Sequence, residues 1–159
     1  MDRVTGVALV FSALGCVAID GGAVEASWVL STNDGQRRIS DCGCTCPPIA
    51  KIRFQLVPLS GGPDPCLGRA SCQFSCDSWS GATRFDIPPD TYAISLVPAG
   101  ADGKDIASSP SDPCRAGGGV DPLVREVKKG GLTQLNALMV HADCALECGG
   151  SDSTKVCGR

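Results

Sequence analysis

The chain has 159 residues and a net charge of −3, and its 14 basic side chains form no dense run; this leaves room for one domain and excludes the concentrated basic face of a nucleic-acid binder. Gly 20 and Pro 11 are abundant while aromatics make up 4% of residues, a composition suited to many turns between short elements rather than to long helices. Eleven cysteines exclude an ordinary reduced cytosolic protein and point to export, with metal binding as the competing explanation.

Met1-Asp2-Arg3 is a short polar start, and Val4–Leu14 follows without a charge. The run matches the ~7–15-residue apolar core of a signal peptide and falls short of the ~20 residues of a spanning helix. It closes on Ser12-Ala13-Leu14-Gly15-Cys16. That ending resembles the bacterial lipobox, in which a prolipoprotein signal peptidase cuts before a cysteine whose thiol has been diacylglycerated. The resemblance covers the first sixteen residues. It implies a signal peptide over 1–15, a lipidated Cys16 carrying palmitate-type chains, and a short tether over 16–23 reaching ~20 Å. Val17 rather than Asp follows the cysteine, and by resemblance to enterobacterial sorting this directs the protein to the outer membrane. An ordinary signal peptide cut elsewhere and a buried apolar strand are the competing readings. The count favours lipidation, because eleven is odd and removing Cys16 leaves ten cysteines.

From Val24 onward apolar and polar residues alternate, the period of half-buried strands. Val24, Ala26, Trp28 and Leu30 share one face, and Ile52, Phe54 and Leu56 share another within Lys51–Leu56. Arg69–Cys76 is a third candidate strand, and Thr83–Ile87 repeats the alternation. Tyr92, Ile94 and Leu96 face inward in the next run, and Leu123–Lys128 and Leu132–His141 complete the set. Gly- and Pro-rich turns separate these runs, and Asp102-Gly103 signals a hairpin joining Tyr92–Pro98 to a strand near Lys104–Ala107. The pattern predicts an all-β fold, an antiparallel two-sheet sandwich of about seven strands. It occupies residues 24–142 and is followed by a cysteine-rich tail over 143–159.

Phe85-Asp86-Ile87-Pro88-Pro89-Asp90-Thr91-Tyr92-Ala93-Ile94-Ser95-Leu96 resembles the strand, proline turn, Thr-Tyr and alternating strand of transthyretin-like (prealbumin-like, carboxypeptidase regulatory-like) sandwich modules. The resemblance implies a transthyretin- or Ig-like sandwich in a module class that is mostly non-catalytic. Fold alone licenses no activity.

The ten remaining cysteines are Cys42, Cys44 and Cys46 in DCGCTC, then Cys66, Cys72, Cys76 and Cys114, and finally Cys144, Cys148 and Cys157 in the tail. Their spacings lack paired CxxC or CxxC with HxxxH, which favours disulfides over metal, with connectivity left open. Cys114 is placed to staple the long loop Ser108–Gly119. His141 is the sole histidine and lies in an apolar strand. No GxSxG, GxxxxGK[ST], GxGxxG or thiol-redox CxxC occurs, so no enzyme, catalytic residue, metal or cofactor is expected. The expected function is a non-enzymatic cell-envelope lipoprotein with a structural, adhesion or binding role. Its membrane partner is reached through the lipid anchor, its envelope protein or glycan partner is unidentified, and nucleic acid plays no part. The alternative is a secreted disulfide-rich inhibitor or effector presenting DCGCTCPP.

Overall fold

The structure, a computed structural model, describes residues 19–33, 35–46, 48–106 and 121–144. Residues 1–18, including Cys16, and Cys114, Cys148 and Cys157 lie outside the described residues.

The alternation of Ala23–Ser31 produces strand β1, whose Val24, Ala26, Trp28 and Leu30 are all buried. Residue Glu25 pairs at once with Ala82 and Gln134, and Leu30 with Ile39 and Val140, so both edges of β1 are used along its length. One edge takes β2 (Arg38–Ile39) and β6 (Ser80–Ala82), both antiparallel. The other takes β9 (Leu132–Gln134) and β10 (Leu138–His141), both parallel to β1. This first sheet is therefore mixed rather than purely antiparallel.

The second sheet is antiparallel throughout, in the order β5 (Gln73–Ser75), β4 (Lys51–Pro58), β7 (Asp90–Ala99), β8 (Leu123–Val127). A two-stranded ribbon pairs β3 (Thr45–Cys46) with β11 (Asp143–Cys144). The two sheets pack face to face as an all-β sandwich. Ile52, Phe54, Leu56, Tyr92, Ile94 and Leu96 meet the buried face of β1, as their spacing requires. Phe74 links the layers, with its ring centroid 6.5 Å from Trp28 and 5.0 Å from Phe54, within the range of favourable aromatic pairs.

Several expected elements take a different form. Leu132–His141 is one strand broken in two. Ala23 faces Leu132 and Trp28 faces Leu138, so three residues, 135–137, oppose the two at 26–27. This one-residue bulge flips the phase and buries Leu135 as well as Leu138 and Val140. Arg69–Cys76 is a strand only over Gln73–Ser75, because Ala70–Cys72 winds into a 3-10 turn that closes the short Cys66–Cys72 loop. Thr83–Ile87 is not a strand. The Thr83 hydroxyl accepts the Val24 N–H at 2.9 Å, ending the β6 ladder, and the chain turns before Ile87 bridges Gly22. That turn sends Phe85 outward, 42% exposed, where alternation places it in the core.

The Asp102-Gly103 hairpin is present: Gly100 N donates to Lys104 O, Ile106 N donates to Pro98 O, and Gly103 adopts φ +77. Lys104 N also donates to Asp102 Oδ1 at 3.0 Å, which holds the Asp102 carboxyl below its ordinary pKa.

The folded body starts earlier than residue 24 and ends later than 142. Gly21 and Gly22 are buried, Gly22 N donates to Ile87 O at 2.8 Å, and Ala23 N donates to Gly131 O. A Cβ on Gly22 would lie 2.4 Å from the Lys128 carbonyl oxygen and 2.6 Å from Val127 Cγ1, so only glycine fits there. At the other limit Cys144 belongs to β11 rather than to a tail beyond the last strand.

Tyr92, at the start of β7, donates its hydroxyl to Pro88 O at 2.7 Å, the same device as the tyrosine corner of antiparallel sandwiches. Burial raises its pKa above the ordinary 10.0, aided by the negative charges of Asp90 and Asp64.

Gly22→Ala is expected to cost about 2–3 kcal/mol in denaturant unfolding, since backbone on both sides blocks relaxation. Tyr92 is the only tyrosine, so its ionisation is directly visible in the ultraviolet spectrum. Because its folded pKa lies above the unfolded value of 10.0, the native state holds the proton more tightly. The stabilisation is complete below pH 10 and is lost as pH rises through the folded pKa. A native tyrosinate transition coinciding with that of the unfolded chain would contradict this.

Candidate functional site

Asp41 starts the cysteine-rich DCGCTC segment by accepting the Gly43 N–H at 2.8 Å, which caps a 3-10 turn over Cys42–Cys44. At three residues per turn, side chains two positions apart point about 120° away from each other. Cys42 and Cys44 therefore point in different directions, and they belong to different disulfides. Cys42 bonds Cys76, with Cα atoms 6.0 Å apart, and Cys44 is also in a disulfide. Cys66 bonds Cys72 across six residues. For Cys46 and Cys144 the backbone register is what is described: Thr45 faces Cys144 and Cys46 faces Asp143.

The Cys42–Cys76 bridge joins the chain beyond edge strand β2 of the first sheet to the end of edge strand β5 of the second. Its surroundings are tightly specified. Trp28 Nε1 donates to Cys76 O at 2.9 Å, Cys76 N donates to Ala50 O, and Trp79 closes the following turn at φ 56 while its carbonyl accepts Trp28 N. Thr45 Oγ1 donates to Cys42 O and accepts Ile49 N, both at 2.8 Å. Cys42, Cys44 and Thr45 are buried, so this part of DCGCTC braces the domain from inside.

His141 sits on β10 with Nδ1 2.9 Å from Ser31 Oγ and 3.3 Å from the Thr32 carbonyl. A serine beside a histidine is the start of a nucleophilic pair, but an attacking hydroxyl needs access to substrate. Ser31 is 2% exposed, and its hydroxyl also contacts the Thr32 carbonyl at 3.2 Å. The contact joins the ends of β1 and β10. Among the described residues no three His, Cys, Asp or Glu side chains gather as a metal site.

Alternation assigns Arg53 to solvent, yet it is only 5% exposed. Its Nε and Nη2 donate to the two oxygens of Asp105 at 3.0 and 2.7 Å, and Nη1 lies 3.4 Å from Asp64 Oδ2. Asp64 Oδ1 in turn accepts Cys66 N at 2.8 Å and Leu56 N at 3.2 Å. The Asp105 hydrogen bond raises the guanidinium pKa against the cost of burial, with the charges of both aspartates adding to the rise. One cation thus fixes the loop after β4 and the hairpin after β7 over the outer face of the second sheet. No residue spacing announces this network, since its members are 11 and 52 positions apart.

The end of the sandwich where the chain enters has a different character. Gly21–Ala23, the Arg84–Pro89 turn, the start of β7, the end of β8 and the start of β9 converge there through the Gly22–Ile87, Gly130–Gly21 and Leu59–Thr91 hydrogen bonds. Ile19, Phe85, Pro88 and Pro89 line an open, mostly apolar groove of about 560 Å³ beside Arg84 and Asp86. Leu59 and Leu132 are exposed at the same end. Toward the opposite end the described residues 32–50 and 99–106 expose no large apolar side chain, and Met139, which faces Val29 on β10, is the exposed one there.

No protein-family model matches the chain, and neither a curated protein nor a solved structure matches it.

The Cys42–Cys76 bridge closes a 34-residue loop, which sets its chain-entropy contribution at about 3–4 kcal/mol. Cys42→Ser/Cys76→Ser is expected to lose that amount in denaturant unfolding, against about 2 kcal/mol for Cys66→Ser/Cys72→Ser, whose loop is shorter. Equal losses would show that loop length does not govern these bridges.

Proposed function

We propose that the protein is a non-enzymatic lipoprotein of the bacterial cell envelope, a disulfide-reinforced sandwich held at the outer membrane by lipid on Cys16. The observation that carries this reading is the uncharged run Val4–Leu14 ending in Leu14-Gly15-Cys16, three residues before the described chain begins at Ile19. Oxidised cysteines support it, because Cys42, Cys44, Cys66, Cys72 and Cys76 are all in disulfides and such bonds persist in an oxidising envelope. The transthyretin-like module is part of the same proposal and rests on Phe85–Leu96, with Tyr92 in its corner hydrogen bond. The role is structural, adhesive or ligand-binding. Two or more acyl chains give stable attachment, each buried methylene contributing ~0.8 kcal/mol.

Cells expressing the chain and fed radiolabelled palmitate are expected to label it and recover it with membranes, while Cys16→Ala abolishes both. A Cys16→Ala protein that still partitions with membranes overturns the lipoprotein reading.

A further inference from the structure

We infer that the entry end of the sandwich, bearing Ile19 and Phe85, is seated against the lipid bilayer, so that the domain has a fixed orientation instead of swinging on a tether. The inference rests on the lipoprotein reading and extends it to a defined surface.

The first step is the length of free chain. Gly21 and Gly22 are buried and bonded through Gly130 N to Gly21 O, Gly22 N to Ile87 O and Ile87 N to Gly22 O. The backbone is thus fixed from Gly21 onward, shortening the tether expected over 16–23. From Cys16 to Gly21 the chain spans at most about 18 Å when fully extended, and from Cys16 to Ile19 about 11 Å. A diacylglycerol on Cys16 has its glycerol at the headgroup level, so the entry end lies within that distance of the membrane surface.

The second step is what that end presents. Ile19 is 47% exposed and Phe85 42% exposed, and both line the mostly apolar groove together with Pro88 and Pro89. Leu59 and Leu132, whose backbones bond Thr91 and pair with Ala23, are also exposed at this end. The patch is small, and what gives it a partner is the tether: the bilayer is the surface within its reach. Of the charged side chains nearby, Lys129 pairs with Asp20, Arg69 with Asp86 and Lys128 with Glu126, while Arg84, exposed in the groove lining, is the cation outside these pairs. Seating therefore rests chiefly on apolar contact, with Arg84 as a single cation able to face anionic headgroups, and it persists in high salt.

The test uses the full-length chain, purified from membranes with its lipid and reconstituted in phosphatidylethanolamine/phosphatidylglycerol vesicles that contain a brominated phospholipid. Phe85→Trp and Ile19→Trp place a reporter at the entry end. Ala101→Trp places one on the exposed hairpin at the far end. Emission from Trp28 and Trp79 is subtracted with the unsubstituted protein. The expected result is a blue shift and loss of emission by bromine quenching at positions 85 and 19, unchanged in high salt, and neither effect at position 101. Membrane-bound protein in which all three reporters are quenched equally, or not at all, overturns the seated orientation and leaves lipidation standing. A blue shift at 85 without bromine quenching means that protein covers the patch, and this also overturns it. A chain that carries no lipid and does not float with vesicles overturns both the orientation and the lipoprotein reading.

Discussion

Four short segments share β1 as their ladder partner, and the first sheet depends on that sharing. β2, β6, β9 and β10 have two to four residues each, too few to hold a strand conformation alone. Nine residues of β1 supply both edges to them and at the same time send Val24, Ala26, Trp28 and Leu30 into the core. A strand hydrogen-bonded on both edges and buried on one face leaves its backbone few competing states. This explains why one-residue adjustments appear in the partners, as in the bulge at 135–137, and not in β1 itself.

The second sheet faces a different constraint, because among the described residues no third layer covers its outer side. Part of it is covered by the loop after β4 and the hairpin after β7, and such loops carry too little apolar surface to stay down by burial alone. Arg53 provides the attachment. Burying a guanidinium is costly unless its donors are satisfied. Here Asp105 takes two of them in a forked geometry, and Asp64 adds charge while holding the Leu56 and Cys66 amides. Removing either carboxylate leaves part of that cost uncompensated, so the network gives the two loops one arrangement rather than simply adding stability.

Much of the sandwich was legible because strand alternation is a local signal. The inward residues of β1, β4 and β7 follow from period two, and Asp102-Gly103 marks its hairpin by turn chemistry. What escaped depends on partners far along the chain. Phe85 looks inward in Thr83–Ile87, but the Thr83 hydroxyl takes the place of a backbone carbonyl as acceptor for the Val24 N–H 59 residues away, and the chain turns. Parallel pairing of β9 and β10 with β1 leaves no mark on either segment, since it is decided at a separation of more than 100 residues. Gly21-Gly22 reads as linker composition, yet Gly22 is glycine because the Lys128 carbonyl stands where a Cβ would be. Of the cysteine-rich segment, spacing excluded a CxxC metal site, but the pairing of Cys42 with Cys76 follows from where the two sheet edges meet.

The two ends of the sandwich are stabilised by different means, and the difference follows from what each end contains. At the far end, strands of two residues and the 3-10 turn at Cys42–Cys44 cannot bury enough surface to hold together, and the Cys42–Cys76 bridge and the Cys44 disulfide lie there. Small, loop-rich regions require such crosslinks. At the entry end, among the described residues, paired backbone groups of Gly21, Gly22, Ile87 and Gly130 close the structure. Apolar side chains are also left outward there, a cost an isolated soluble end would not need to bear. A covalently braced end tolerates full exposure to solvent, whereas an end closed by hydrogen bonds gains from a neighbouring surface that covers its apolar groups. Under the proposed lipidation of Cys16, the short span to Gly21 would hold that end, and not the braced one, close to such a surface.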